Sequence, residues 1–354
     1  MYSGRTNVNK FIIEQARVNP ELAGDFAALI SDVVRACKAI AHAVARGELG
    51  RVTEAGADAD PRQRLARFAN DAFLRHCEWG GHLAGMSSKQ MDAPYAIPQE
   101  YPRGRHLLVF DPIDGYLNTD VNISVGSIFS VLRCAPECAT PTHSDFLQPG
   151  TRQIAAGYAL YGPATLLVLT VGSGVFGFTL DPELGEFILT HPNLQIPADT
   201  LDVAVNIANE RFWDKPVKRY VRECMAGQAG PRGADFNMRW IASLVADLHR
   251  IFLRGGVFLY PRDSKDASKG GRLRLMFEAN PIALLVEQAG GAASTGRSRI
   301  LDVEPAQLHE RGPVIFGSRN EVRRLERYHA EADCGADEPY TSPLFGTRSL
   351  FIAS

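Results

Sequence analysis

The chain has no long hydrophobic run. Its strongest apolar stretch, around Ala164 to Val171, falls far short of the ~20 residues that a membrane-crossing helix needs, so no membrane span is expected. Met1 to Asn19 carries charges throughout and contains no apolar h-region, which argues against a secretory signal. A charge surplus is missing too: 38 basic and 40 acidic side chains leave a formal charge of -2. Nucleic acids and anionic membranes are normally met by a basic excess, so neither is an expected partner. Cysteine is sparse, with six scattered at 37, 77, 134, 138, 224 and 334. Only Cys134 and Cys138 are close, and no second Cys or His pair completes a zinc tetrahedron. The reading is reduced thiols in a cytoplasmic protein. No internal repeat is present.

What is there is ordinary globular composition, 45% hydrophobic and 22% charged over 354 residues. That length suggests roughly two domains and leaves room for a well-buried core. A helix is predicted over roughly Glu21 to Gly47, since Phe26, Leu29, Ile30, Val33, Val34, Cys37, Ile40, Ala41 and Val44 recur at three- and four-residue spacing. A Gly-, Ala- and Asp-rich loop separates it from a second helix starting near Pro61, and Asp71 sits beside that helix's apolar side. His106 to Phe110 reads as a buried strand stopped by a turn at Asp111-Pro112, and Asn122 to Arg133 as a half-buried strand. Ala155–Leu160, Thr165–Val171, Val175–Leu180 and Glu186–Thr190 follow with short turns and no helix between them, which predicts an antiparallel meander.

The second half changes character. A helix is predicted over Asn237 to Leu253, and strands at Val257–Tyr260, Leu273–Phe277 and Val314–Phe316. Another helix is opened by an Asn280-Pro281 cap and stopped by Gly290-Gly291, and a basic helix runs from Asn320 to Tyr328. Helices with sheets of both kinds point to a layered α/β or α+β protein. Its expected division is 1–200, 201–331 and a tail at 332–354, the last lacking any clear period.

The sharpest local feature is Asp111-Pro112-Ile113-Asp114-Gly115. Two carboxylates three residues apart at a strand end can form half of a site for a hard cation such as Mg²⁺, which takes oxygen ligands and keeps room for waters and phosphate. The same pattern also suits two turn-forming aspartates that cap a strand.

The wider context favours the first alternative. DPIDGYLNTDVNISVGSIFSV (Asp111 to Val131) resembles the signature of class 1 fructose-1,6-bisphosphatases, within the Mg²⁺-dependent sugar- and inositol-phosphatase superfamily. The resemblance continues from Gly157 to Asn193, Gly230 to Arg250, Gly255 to Pro261, Arg272 to Gly291 and Pro313 to Val322. It implies an αβαβα five-layer sandwich, usually a homotetramer, that hydrolyses the 1-phosphate of fructose 1,6-bisphosphate to fructose 6-phosphate and phosphate. Carried over residue by residue, Asp111, Asp114, Glu278 and the carbonyl of Ile113 match metal positions for Mg²⁺ or Mn²⁺. Asp71 matches the aspartate that manages the proton of the attacking water. Asp114, Gly115, Tyr116, Leu117 and Asn118 match the 1-phosphate loop. Asn206, Arg239, Tyr260 and Arg272 match groups that hold the sugar and its 6-phosphate, with Arg239 reaching a neighbouring subunit. Ala23 to Ala27 and Arg105-His106 match the AMP region with its hydroxyls missing, so AMP inhibition is not expected.

The chain departs from the family pattern where the chemistry lies. The family's Ser-Glu-Glu is Ser88-Lys89-Gln90 here, and its Gly-Ser-Ser-Asn is Gly115-Tyr116-Leu117-Asn118. Two metal-cluster glutamates are thus replaced by a cation and an amide, and two hydroxyls by bulk. At an effective dielectric near 20, one unit charge 4 Å from a cation is worth about 4 kcal/mol. Weakened metal affinity and impaired turnover follow. The expectation is that the Lys89 ammonium sits where a metal would, paired to Asp111 or Asp114, against the alternative of a solvated Lys89. Two further readings stay open: a non-catalytic paralogue that binds sugar phosphates or joins an active homologue's oligomer, and a pocket reshaped by Tyr116 and Leu117 for sedoheptulose 1,7-bisphosphate or a monophosphate.

Overall fold

The computed structural model describes residues 6–47, 60–135, 141–266 and 270–336. Three helices cover one face of the first sheet: α1 (Val8–Val18), α2 (Asp25–Ala45) and α3 (Pro61–Cys77). The expected apolar stripe of α2 is buried, with Phe26, Leu29, Val33, Cys37 and Ile40 all essentially inaccessible. They pack on Leu108, Phe110, Val131 and Ala159 of the sheet beneath.

That sheet has eight strands: β1 (Leu83–Ser88), β2 (Tyr95–Ala96), β3 (His106–Asp114), β4 (Val125–Arg133), β5 (Ala155–Tyr161), β6 (Thr165–Thr170), β7 (Val175–Asp181) and β8 (Glu186–His191). Their spatial order is β2-β1-β3-β4-β5-β6-β7-β8. Only β1 and β3 run parallel; β5 through β8 form the expected meander, which β4 extends by pairing antiparallel with β5.

The second half supplies β9 (Asp202–Ala204), α4 (Lys215–Met225), β10 (Asn237–Met238), α5 (Leu244–Arg254) and β11 (Val257–Tyr260). It continues with β12 (Leu273–Arg274), α6 (Asn280–Gln288), β13 (Ala292–Ser294), β14 (Arg311–Gly312), β15 (Val314–Gly317) and α7 (Arg319–Asp333). A five-stranded sheet has the order β10-β9-β11-β15-β13, and β12 pairs with β14 apart from it. Helices α5 and α6 lie between the two sheets, where Leu248, Phe252, Ile282 and Val286 meet Tyr158 on one side and Phe258 and Phe316 on the other. Helices α4 and α7 cover the outer face through Val217, Tyr220, Val322 and Leu325. The result is a five-layer αβαβα sandwich.

Four local expectations are corrected, and each correction touches the site. Strand β3 does not stop at Phe110: it continues through Asp111-Pro112-Ile113-Asp114. Proline is tolerated because the register against β4 slips there, from Asp111 opposite Ile128 to Asp114 opposite Gly126. The turn comes at Gly115, whose φ of 75° suits a residue without Cβ. Residues 237–243 are not helical: β10 takes the first two, and Ala242 at φ 63° breaks the chain direction before α5. The expected Leu273–Phe277 strand is two residues long and passes into a π-helical turn, Leu275–Ala279, that carries Glu278. Asn280 is no cap, because the backbone is already helical there and its Oδ1 is buried without a partner.

The thiol expectation also changes. Cys134 is disulfide-bonded, while Cys37, Cys77, Cys224 and Cys334 are free. The expected loop between the first two helices and most of the expected tail lie outside the described residues. No helix among the described residues is long and apolar enough to cross a membrane.

Candidate active site

Three elements bring the acids together. Asp111 and Asp114 come from the irregular end of β3, and Glu278 from the π-helical turn. Ligand atoms of the three lie within 4.8 Å of one another, and all three residues are buried. The register slip between Asp111 and Asp114 lets both carboxylates reach one side. Asp114 is further anchored by the Val245 N–H at the start of α5, at 3.2 Å, where a helix N-terminus favours negative charge. Ile113, whose carbonyl was a metal-position match, is buried in the core between the two acids.

Lys89, just past the end of β1, enters this nest. Its Nζ donates to Asp111 Oδ2 at 2.7 Å and to Glu278 Oε1 at 3.0 Å. Both acceptor side chains are nearly inaccessible, at 2% and 4% exposure. Burial alone would push the ammonium's pKa down, but the Asp111, Glu278 and Asp114 carboxylates outweigh it and hold Lys89 well above the ordinary lysine value. Burial raises Asp114 to about 7, with Lys89 as the main opposing influence. The expected ammonium–carboxylate pairing therefore holds for Asp111, with Glu278 rather than Asp114 as the second partner.

Arg274 was missed by sequence reasoning. It lies on β12, half-buried, donates from Nη1 to the Lys89 carbonyl oxygen, and its own backbone N–H bonds Glu278 Oε2 at 2.7 Å. It fastens the lysine-bearing segment to the glutamate-bearing turn. Two cationic positions, Arg272 just before the predicted Leu273–Phe277 strand and Arg274 on it, were the available signal. Ser243 is a second omission: its Oγ is buried without a partner, close beside Gly115.

Oxygen-only donors of this kind suit a hard divalent cation. With Lys89 in place they do not fit one. Mg²⁺ needs oxygens at about 2.0–2.1 Å, and two of the three carboxylates already turn an oxygen to the ammonium.

The remaining expected residues fall in two groups. Asn206, Tyr260 and Asp263 line a narrow crevice with Asn209, Trp213 and Trp240, and Arg272 Nε reaches Asp263 Oδ2 beside it at 3.2 Å. Tyr116 packs partly on the core, Leu117 is 57% exposed, and Asn118 Nδ2 donates to the Ala242 carbonyl at 2.7 Å. Asp71 and Gln90 are exposed. Arg239 is exposed, with Asp202 3.9 Å away.

Comparison with known proteins identifies the family. Residues 6–192 match the family description "Fructose-1-6-bisphosphatase, N-terminal domain", and residues 196–330 match "Fructose-1-6-bisphosphatase, C-terminal domain". The chain belongs to the class 1 fructose-1,6-bisphosphatase family. A relative named fructose-1,6-bisphosphatase class 1 from Hydrogenophilus thermoluteolus is 58% identical, covering 97% of this chain and 96% of its own. Another, named fructose-1,6-bisphosphatase class 1 3, from Methylibium petroleiphilum, is 54% identical, covering 98% of each. The Leishmania major fructose-1,6-bisphosphatase crystal structure in holo form superposes with a TM-score of 0.83 at 36% identity, covering 92% of this chain and 99% of that one.

Proposed function

We propose that this member of the fructose-1,6-bisphosphatase family keeps a sugar-phosphate crevice but hydrolyses the 1-phosphate of fructose 1,6-bisphosphate only poorly. The observation that carries this is the Lys89 ammonium, bonded to two of the three clustered carboxylates. The family's hydrolysis, as the resemblance implies it, depends on Mg²⁺ or Mn²⁺ at this cluster, and here the lysine supplies the counter-charge instead. Three carboxylates face Lys89 and the nearby Arg274, so the two cations balance most of the cluster's negative charge. A unit charge at 4 Å is worth about 4 kcal/mol at an effective dielectric of 20. Exchanging an acid for a lysine at position 89 thus lowers divalent-ion affinity by about three orders of magnitude or more.

What this chain's residues can do is bind and orient. The aromatic wall of Trp240 and Tyr260 offers a face to the sugar, and Arg272 offers a cation to its 6-phosphate. The 1-phosphate loop has lost two hydroxyls at Tyr116 and Leu117, and removing one such donor commonly costs about 10²–10³ in rate. Asp71, assigned by resemblance to the proton of the attacking water, keeps its place on α3. The division near residue 200, the cytoplasmic location and the homotetramer belong to the same proposal and rest on the family resemblance.

The test is phosphate release from fructose 1,6-bisphosphate in Mg²⁺ or Mn²⁺. Wild type is compared with the combined Lys89→Glu, Gln90→Glu, Tyr116→Ser, Leu117→Ser variant, with melting curves recorded for both. A gain of about 10³-fold or more in the folded variant is expected. Wild-type turnover equal to that of an active family member would overturn the proposal.

A second reading is supported by Arg239, whose side chain is 56% exposed and, among the described residues, makes only a long contact to Asp202. A chain with poor hydrolysis could still offer this arginine to the site of an active homologue in a mixed oligomer. Co-expression of the two, with purification through a tag on this chain alone, tests it.

A further inference from the structure

We infer that a cavity beside α4 and α7 binds a small zwitterion, an amino acid with a short apolar side chain, through its ammonium and its carboxylate at once. The cavity is separate from the candidate active site, so the inference stands apart from the function proposed above.

The cavity holds about 390 Å³, within the range of sites that take small molecules. It lies between the start of α4, the end of β11, the turn after β13 and α7, with Asp214, Arg262, Thr295, Arg297 and His329 among its walls. Among the described residues, Pro261 alone also lines the narrow crevice of Asn206, Tyr260 and Asp263. None of the clustered carboxylates borders the cavity.

Three of its walls are polar groups without partners. Asp214 stands at the N-cap position of α4, yet its side chain makes no capping bond. Among the described residues nothing bonds or pairs with its carboxylate, although its charge acts on both Arg297 and His329. Arg262 is exposed and likewise has no partner among the described residues. Two opposite charges thus border one cavity without meeting each other.

His329 is the third group, and it is only 4% exposed. Its Nδ1 lies 2.8 Å from the Leu325 carbonyl oxygen, which can only accept, so Nδ1 carries the proton and Nε2 keeps its lone pair. Burial holds the imidazole below its ordinary pKa, so the ring is uncharged at neutral pH and Nε2 offers an acceptor. Gly296 keeps the approach clear, since a Cβ there would stand 2.9 Å from Nε2. The other polar walls are already committed. Arg297 makes two bonds to Asp333, at 2.7 and 2.8 Å, and the Thr295 and Ser298 hydroxyls bond each other at 3.0 Å.

This set of groups selects the ligand. A plain anion would suit Arg262 but would also meet Asp214 and the His329 lone pair. A plain cation would suit those two acceptors but would leave the guanidinium unbalanced. A molecule with both charges satisfies all three: its ammonium donates to Asp214 and His329, and its carboxylate accepts from Arg262. Val217, Pro261 and Pro313 give a short side chain an apolar wall.

The experiment is a ligand-observed NMR titration of the intact chain with L-leucine, isocaproate, isoamylamine and inorganic phosphate. Isocaproate is leucine without its ammonium, and isoamylamine is leucine without its carboxylate. L-leucine is expected to bind saturably with a Kd of about 1 mM or tighter. Each of the other three loses a charge-assisted bond and should bind at least about tenfold more weakly. Arg262→Ala and the isosteric Asp214→Asn should each weaken L-leucine binding by about tenfold while melting as wild type does. No saturable L-leucine binding up to about 10 mM would overturn the inference. Isocaproate, isoamylamine or phosphate binding as tightly as L-leucine would overturn it too. So would L-leucine affinity that is unchanged in both variants, because the ligand would then sit elsewhere.

Discussion

Replacing Lys89 by methionine isolates the ammonium from the rest of the site. The substitution keeps a four-atom stem and removes the ammonium, with its charge and N–H donors, that Asp111 and Glu278 share at 2.7 and 3.0 Å. At an effective dielectric near 20, each contact represents a gross attraction of roughly 6 kcal/mol. Most of that offsets the desolvation of groups that are 96–98% buried, and breaking such a pair from one side typically costs about 3–5 kcal/mol. The domain around the cluster should therefore melt several degrees lower in Lys89→Met than in wild type when both are held in EDTA. Adding Mg²⁺ should separate them further in kind. The variant exposes a carboxylate triad without a counter-ion, so the metal should restore about 3 kcal/mol at a roughly hundredfold excess over its Kd. Wild type should show no Mg²⁺-dependent shift beyond that of NaCl at matched ionic strength. Thermal melts under those three conditions suffice. A Lys89→Met melting point equal to wild type in EDTA, or a wild type stabilised by Mg²⁺ as strongly as the variant, would refute the reasoning.

Two further outcomes follow from positions outside the cluster. His249 Nδ1 and the Tyr158 hydroxyl are hydrogen-bonded at 2.9 Å, and burial, helped by His191, lowers the His249 pKa to about 4. A folded-state pKa below the unfolded one gives stability that is complete above about pH 6.5 and is lost as pH falls towards 4, on the order of 3 kcal/mol in all. His249→Gln, which can still pair with that hydroxyl, should lose less melting temperature than wild type between pH 7 and pH 4.5, and parallel losses would count against it. Gly126 has no room for a side chain. A methyl there would strike the Ala159 carbonyl oxygen and come within 2.8 Å of Val245 Cγ2. Gly126→Ala should cost about 3 kcal/mol in denaturant unfolding, and a loss below about 1 kcal/mol would show that β4 and α5 can separate there.

The fold was legible where one physical signal dominated. The α2 stripe and the β5–β8 meander follow directly from three-to-four and two-residue periods with Gly and Pro between them. It was least legible where the chain changes conformation inside an apolar run. Trp240 and Ile241 continue the apolar pattern of α5, yet Ala242 takes a positive φ and Asp247 turns back to accept the Ile241 N–H at 3.3 Å. Leu275 to Phe277 read equally well as strand or buried helix, and only pairing with β14, which ends at Arg274, separates them.

The candidate site was half legible. The DPIDG motif and the family likeness gave the acids. The lysine's actual partners lie 22 and 189 residues away from it, so its pairing with Glu278 could not be read from spacing. The role of Arg274 depends on a bond to a main-chain carbonyl, which leaves no trace in a residue pattern.

The central claim is that an ammonium holds the cation's place among Asp111, Asp114 and Glu278. Titration of Mn²⁺ into the wild-type chain, followed by the electron paramagnetic resonance signal of the free ion, tests it most directly. The account predicts a free-ion signal that rises in step with added metal, while Lys89→Met removes ions from solution at near-stoichiometric ratio. Saturable uptake of one or more Mn²⁺ per chain by the wild type, with an affinity matching that of the variant, would contradict it.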